Sequence, residues 1–172
     1  EDDNEKIIKF FNETSMETSD LKLRYERSPS FFHFLKYQSD EFFVMGGDRD
    51  EFTIKAIATM SLREGYVDGE KKRIAYLGDL RVKGGVGYSM RWQQVFGDIL
   101  KHSKELNDVN ADYFITAVMG GNMKASQALV KNSKSPYQYK KICDYKMVSL
   151  IMPFKKIANL KGVDIRRADI ND

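Results

Sequence analysis

The stretch from residue 42 to residue 82 constrains the fold most strongly, because apolar segments of strand length alternate there with tight turns. The second turn contains Asp68-Gly69, a pair that tolerates positive φ and favours a hairpin. Strands joined by such short turns pair in an antiparallel manner. The predicted segments are strands over residues 42–45, 52–62 and 73–82, with turns at residues 46–50 and 66–69.

Helices are predicted on both sides of this region. Asp3 is a suitable cap for the first helix, and Pro29 is expected in the first turn of the second. A crossover helix between neighbouring strands follows the hairpins, so we predict an α+β fold with a mixed, mainly antiparallel central sheet flanked by helices. The remaining predicted elements are helices from residue 3 and over 31–38, 88–106 and 122–131, and strands over 112–119 and 145–152.

Composition limits the class of protein. With 172 residues and 42% apolar content, one domain can bury a sizeable core. No apolar run spans a bilayer and the first residues are acidic, so we expect a soluble cytoplasmic protein without a membrane partner. A net charge of +3 gives no reason to expect nucleic acid binding.

The single cysteine, Cys143, cannot form an internal disulfide bond, and no histidine lies near it in sequence. A small, half-buried strand residue is therefore a better interpretation than a nucleophile. The two histidines and this cysteine lack zinc spacing, so no metal site is expected.

The glycines at positions 84, 85 and 87 lie between a predicted strand and a predicted helix. Such a turn can bring backbone N–H groups onto a phosphate at a helix N-terminus, and Lys83 can add a positive charge. The sequence after Gly87 is Tyr-Ser-Met, which does not fit a Walker loop, and the hairpins upstream do not fit a Rossmann unit. The alternative is that the glycines form only a flexible connector.

Two motifs at suitable spacing resemble the GNAT superfamily of acetyl-CoA-dependent N-acyltransferases. The first is Leu80-Arg-Val82 followed by Gly85-Val-Gly87, and the second is residues 115–118 followed by Asn122-Met-Lys-Ala125. The usual Arg or Gln of the first motif falls at Val82, and the strand that normally precedes the first helix is apparently lacking. The resemblance implies a GNAT-like domain over residues 1–154, with residues 155–172 as a tail or the start of a linker.

The resemblance also implies where acetyl-CoA binds. Pantetheine would occupy the gap between the strands over residues 73–82 and 112–119, with the pyrophosphate at residues 83–88 and no metal. A backbone N–H near Leu80 would polarise the thioester carbonyl. The implied cofactor-binding residues are Leu80, Arg81, Val82, Lys83, Gly84, Gly85, Val86, Gly87, Tyr88, Asn122, Ala125 and Ser126.

Direct attack of an amine on the thioester needs a base and an acid. Asp79 and Glu64 are the candidate bases. The tyrosine that usually acts as acid in the family is replaced by Leu129, which leaves Tyr139 as our candidate, with positions 137 and 145 as alternatives. The acceptor cleft would involve residues 24, 25, 27, 31 and 32, although the aromatic residues of 31–35 first indicate a core-facing helix.

The predicted function is transfer of an acetyl group from acetyl-CoA to an amine, on a small molecule or a protein, in a ternary complex. One alternative is a non-catalytic acyl-CoA-binding or regulatory module, favoured by the missing tyrosine and the displaced basic residue. Another is an interaction domain whose glycines are only a connector. A homodimer or a further domain is compatible with each of these.

Overall fold

The computed structural model describes residues 3–14, 16–17, 22–23, 25–50, 53–85, 91, 94, 97–98, 101–102, 109–130 and 139–146. The chain divides into two compact units, Glu1–Lys141 and Ile142–Asp172. Within the second unit, residues 142–146 have no regular secondary structure. The domain limits predicted at residue 154 stay a prediction.

The first unit contains two short helices, a small hairpin, three long antiparallel strands, a short parallel strand and a further helix. Residues 91, 94, 97, 98 and 101 also have helical backbone, in the stretch predicted as the crossover helix. The elements are α1 (Asn4–Glu13), β1 (Met16–Glu17), β2 (Lys22–Leu23), α2 (Phe31–Gln38), β3 (Glu41–Asp50), β4 (Thr53–Val67), β5 (Glu70–Val82), β6 (Tyr113–Ile115) and α3 (Met123–Val130).

The main sheet has the order β3-β4-β5-β6. The first three strands are antiparallel neighbours, whereas β6 pairs with β5 in parallel. The parallel pair requires a crossover, and the helical residues between β5 and β6 lie in that connection. The predicted α+β class with a mixed, mainly antiparallel sheet is confirmed.

The hairpin turn predicted over residues 46–50 is wrong. These residues belong to β3, with register shifts between Gly47 and Asp48 and between Asp48 and Asp50. Pairing along β4 outweighs the local preference of two glycines for a turn, and the irregularity is absorbed as a bulge. The second turn is confirmed, with positive φ at Asp68 and Gly69.

Smaller corrections concern the ends of elements. Pro29 precedes α2 rather than lying in its first turn, because Ser30 is the N-cap and its Oγ accepts a hydrogen bond from Phe32 N. The strand predicted from residue 112 is shorter, and the strand predicted from residue 145 is not observed at 145–146, while its remainder lies outside the described residues. Cys143 is exposed and outside any strand, contrary to prediction.

The two faces of the sheet are covered differently. One face carries Ile57 and packs against the aromatic residues of α1 and α2, with Phe11 and Phe31 in edge-to-face contact. The other face carries Met60 and Leu62 with Leu77 and packs against residues next to β6. Phe34 was expected in the core with its helix neighbours, yet it is 51% exposed. The cluster on the aromatic face comprises Ile7, Phe10, Phe11, Phe31, Phe32, Leu35 and Ile57.

Candidate functional site

β5 and β6 separate after a short common stretch. Their pairing covers Ile74–Tyr76 with Tyr113–Ile115, and the hydroxyl of Thr116 then donates to the carbonyl oxygen of Leu77 at 2.7 Å. Residues 116–119 have no strand structure, while β5 continues to Val82. Among the described residues, β5 therefore has no strand neighbour beyond Leu77 on the side where β6 lies.

The open part of β5 contains a β-bulge centred on Asp79. Thr59 pairs with Gly78, but Ile57 pairs with Arg81, so β5 has one residue more than β4 over this interval. Asp79 takes up the irregularity with a φ of 51°, in the left-handed region that aspartate tolerates better than most residues. The bulge lies directly beside the open edge.

The orientation of the backbone beyond the bulge follows from one hydrogen bond. The N–H of Lys83 donates to the carbonyl oxygen of Lys55 at 2.7 Å, so the polar groups of Lys83 face β4. Successive residues of a strand direct their backbone polar groups to opposite sides. Those of Val82 consequently face away from β4, toward the open edge. Leu80 lies in the irregular interval between Gly78 and Arg81, and its predicted backbone contact with a ligand stays a prediction.

The turn at the end of β5 is open to solvent. Gly84 and Gly85 are exposed, and a Cβ built on Gly85 would meet no atom within 4 Å. Nearby, Lys83 Nζ forms an ion pair with Glu13 Oε2 at 2.9 Å, which lowers the pKa of that carboxyl through a hydrogen bond and charge attraction. Residues 86–88, predicted to bind the cofactor, lie outside the described residues.

A buried ion pair holds the bulge. Arg27 Nη2 lies 3.2 Å from Asp79 Oδ1, and the side chains are 10% and 16% exposed. The hydroxyl of Thr59 donates to Asp79 Oδ2 at 3.3 Å. Asp79, predicted as a base, is thus an acceptor for two groups that fix its position, and its catalytic role stays a prediction.

Arg81 was predicted to contact the cofactor, but its side chain packs against Phe11 of α1. The guanidinium lies 3.6 Å from the centroid of the Phe11 ring and Nη1 donates to the carbonyl oxygen of Phe11 at 3.0 Å. Burial lowers the pKa of Arg81, and Asp79 partly opposes this effect. Its side chain stabilises the end of α1 rather than reaching the glycine turn.

A cavity of about 230 Å³ is lined in part by Arg27. Arg27 stacks over Phe34 with its guanidinium carbon 4.3 Å from the ring centroid. Tyr25 and Arg27 were predicted for the acceptor cleft and do line this cavity, whereas Phe31 and Phe32 are buried in the core. The lining residues are Tyr25, Glu26, Arg27, Ser28, His33 and Phe34.

The second motif forms the start of α3. Asn122 Oδ1 accepts a hydrogen bond from Ala125 N at 3.1 Å, and its carbonyl oxygen accepts from Ser126 N at 3.1 Å. Asn122 therefore caps this helix. The predicted contacts of Asn122, Ala125 and Ser126 with a cofactor stay predictions.

The three catalytic candidates are not brought together by the sheet. Glu64 pairs in register with Arg73, five residues along β4 from Thr59, which corresponds to about 17 Å of strand. It is exposed and forms an ion pair with Lys71 at 2.6 Å. Tyr139 packs against the cluster containing Leu77, and burial raises the pKa of its hydroxyl. Only Asp79 lies at the bulge.

Sequence reasoning did not identify the pairing of Arg27 with Asp79 or the contribution of Thr59. Asp79 is the one carboxylate within the predicted strand 73–82, and aspartate is depleted in strands, so it was the available signal. In the described parts of the chain, no group of three or more His, Cys, Asp or Glu side chains is arranged to hold a metal ion. No helix in those parts is long and apolar enough to cross a membrane.

Comparison with known proteins gives a structural similarity only. No family model matches the chain. No curated protein matches it either. Among solved structures, a mutant of the BH1408 protein from Bacillus halodurans is 18% identical with a TM-score of 0.48, covering 75% of this chain and 81% of its own.

Two further similar structures have names that state an activity. Glucosamine-6-phosphate N-acetyltransferase from Arabidopsis thaliana is 12% identical, with a TM-score of 0.48 and coverage of 69% and 75%. The aminoglycoside acetyltransferase meta-AAC0020 from an uncultured soil metagenomic sample is 15% identical, with a TM-score of 0.44 and coverage of 70% and 76%. Similarities at this level do not define the activity or the substrate of this chain.

Proposed function

We propose that this protein is a GNAT-type N-acetyltransferase that binds acetyl-CoA along the open edge of β5. The observation that carries the proposal is the separation of β5 from the chain that follows β6, just before the bulge at Asp79 and the turn at Gly84 and Gly85. An open strand edge and an exposed glycine turn lie within a few residues of each other.

Each part of this region suits one part of the cofactor. An extended ligand with amide groups can add to an exposed strand edge through main-chain hydrogen bonds. We place it along Leu80 and Val82, and the backbone groups of Val82 are directed away from β4. Glycine permits close approach of a pyrophosphate, and Gly85 has no neighbouring atom that would need the space. These features support placing pantetheine in the gap and the phosphates at the turn.

In the proposed reaction the acceptor nitrogen forms a bond to the acetyl carbon, the carbon–sulfur bond breaks, and the nitrogen loses a proton. The N–H of Leu80 stabilises the negative charge that develops on the carbonyl oxygen. The thiolate takes up a proton, for which Tyr139 is the candidate donor, although burial raises the pKa of its hydroxyl and makes it a weaker acid. Of the two predicted bases, Asp79 is the one beside this edge.

The test uses isothermal titration of acetyl-CoA into the wild type and into Gly85→Ala. The added methyl group meets nothing in the fold, so the unfolding midpoint should stay unchanged or rise slightly. Acetyl-CoA affinity should fall by about tenfold or more, because the methyl group occupies space that the pyrophosphate needs. Gly46→Ala is the matched control, since a Cβ there is equally unobstructed and lies on β3.

Two outcomes would contradict the proposal. Absence of acetyl-CoA binding by the wild type would reject the cofactor site, and equal affinities of Gly85→Ala and the control would reject its location. Thiol release from acetyl-CoA over a panel of amines then tests catalysis. Binding without thiol release for every amine would support the non-catalytic acyl-CoA-binding module instead.

A further inference from the structure

We propose that the cavity beside Arg27 binds an anionic group, a carboxylate or a phosphate, carried by the acceptor amine. The inference rests on the proposed acetyltransferase function and extends it to the chemical class of the acceptor. It is carried by the unpartnered donors of a buried arginine and by the cavity that this arginine lines.

The guanidinium of Arg27 has donors that the fold does not use. Its side chain is nine-tenths buried, and only Nη2 bonds to Asp79. Within the described part of the chain, Nε and Nη1 are buried without any hydrogen-bond partner. Burying such donors unpaired is costly, so their retention favours a ligand that completes them.

The cavity lies beside Arg27. Arg27 is one of its lining residues, and a volume of about 230 Å³ accommodates a small organic group. Tyr25 and Phe34 supply aromatic surface that is partly exposed. A guanidinium is suited to two-point recognition of a carboxylate or phosphate, and a ligand reaches the buried Nε and Nη1 by displacing part of this lining.

Arg27 is positioned firmly enough to orient a ligand. Asp79 holds one edge of the guanidinium, while the rings of Phe31 and Phe34 lie within 5.7 Å and 4.3 Å of its central carbon. Asp79 precedes Leu80, whose N–H is the proposed donor to the thioester carbonyl. An acceptor anchored at Arg27 would thus lie close to the bulge where transfer is proposed.

A binding experiment on the wild type tests the cavity without requiring catalysis. The ¹⁵N signal of Arg27 Nε–H, assigned by its loss in Arg27→Lys, is followed during titration with β-alanine and with phosphoethanolamine. The neutral-tail probes are β-alaninamide and ethanolamine, and sodium chloride controls for ionic strength. We expect a saturable shift with one or both anionic probes and none with their partners.

The two anionic probes distinguish the carboxylate from the phosphate. A shift that is equal for the anionic and neutral-tail probes, or no shift in any titration, would overturn the inference. This readout does not depend on acetyl-CoA, so a failed cofactor site and a failed anion site give different results.

A kinetic experiment tests the link to transfer. For the wild type, thiol release should be faster for the anionic amine of each pair, and Arg27→Gln should reduce that preference by about tenfold or more. Arg27→Lys should restore part of it. Arg63→Gln removes the same charge from an exposed position of β4 and should leave the preference unchanged.

Acetyl-CoA affinity separates an acceptor site from a cofactor site. In Arg27→Gln it should fall by a smaller factor than the preference between the paired amines, because the substitution also removes the partner of Asp79 at the bulge. An equal or larger fall in acetyl-CoA affinity would assign Arg27 to the cofactor, and an unchanged preference between the paired amines would reject its role in the acceptor site. If Arg27→Gln does not fold, the titration of the wild type decides the question.

Discussion

The two halves of β5 differ although they belong to one strand. From Ile74 to Tyr76 the strand has a neighbour on each side, whereas from Gly78 to Val82 it is paired with β4 alone and contains the bulge at Asp79. The paired half is held by regular ladders and apolar packing. The other half is held by an ion pair to Arg27, which comes from outside the sheet. Regular pairing builds the sheet, and its interruption creates an edge that a ligand can use.

The largest effect is expected from Asp79→Asn, which keeps the shape of the side chain and the tolerance for positive φ but removes the charge. The change leaves the guanidinium of Arg27 buried without its carboxylate, so the free energy of unfolding should fall by about 3 kcal/mol. Urea denaturation at neutral pH measures it.

Glu64→Gln is the matched control from β4 next to the paired half, because Glu64 is exposed and its partner Lys71 is also solvent-accessible. It should leave the unfolding midpoint unchanged. Equal losses in the two variants would contradict the contrast between the two halves of β5.

Much of the paired half could be predicted from the sequence. Asp68-Gly69 is a local signal whose positive φ values are set by residues of that turn alone, and the turn was predicted correctly. The glycines at 46 and 47 gave a similar local signal and were misassigned, because the pairing of β3 with β4 involves residues distant in sequence.

The open half could be predicted only in part. The glycine turn and the flanking strand were recognised from their order, and Leu80 and Val82 were expected at the edge. The ion pair that holds the bulge joins residues 52 positions apart, and no local pattern relates them. Phe34 is likewise half-exposed and stacks against Arg27. The helical periodicity of α2 does not predict this contact.

A smaller effect is expected at the point where the halves meet. Thr116→Val removes the hydroxyl that donates to Leu77 at 2.7 Å, the last hydrogen bond between β5 and the segment after β6 among the described residues. The free energy of unfolding should fall by about 1 kcal/mol. Thr53→Val, at an exposed position of β4, is the control and should have less effect in the same denaturation experiment. A larger loss in the control would show that the Thr116 bond does not stabilise the junction.

The smallest effect is expected on the free energy of unfolding at high pH, through Tyr139, which packs against Leu77 and its neighbours. Burial raises the pKa of Tyr139 above its ordinary value of 10.0, so the folded state retains this proton where the unfolded state releases it. Stability from this group is complete below pH 10 and is lost as the pH rises toward the pKa of the folded protein.

Tyr139→Phe should therefore show a shallower decline of the unfolding free energy between pH 9 and pH 11 than the wild type. The other tyrosines titrate in both proteins, so the difference between the two profiles isolates Tyr139. Thermal unfolding at closely spaced pH values measures it, and parallel profiles would mean that the phenol ionises equally in both states.

The extra residue at Asp79 exchanges the two faces of the sheet for every residue of β5 that follows it. Before the bulge, odd-numbered residues of β5 such as Leu77 lie on the face of Met60. After it, the even-numbered Val82 lies on the face of Ala56 and Ala58, and Arg81 lies on the other face, against Phe11. Deleting that one residue would remove both the irregularity of the pairing and the carboxylate that Arg27 contacts. The chemistry available at this edge is thus encoded in the count of residues as much as in their identity.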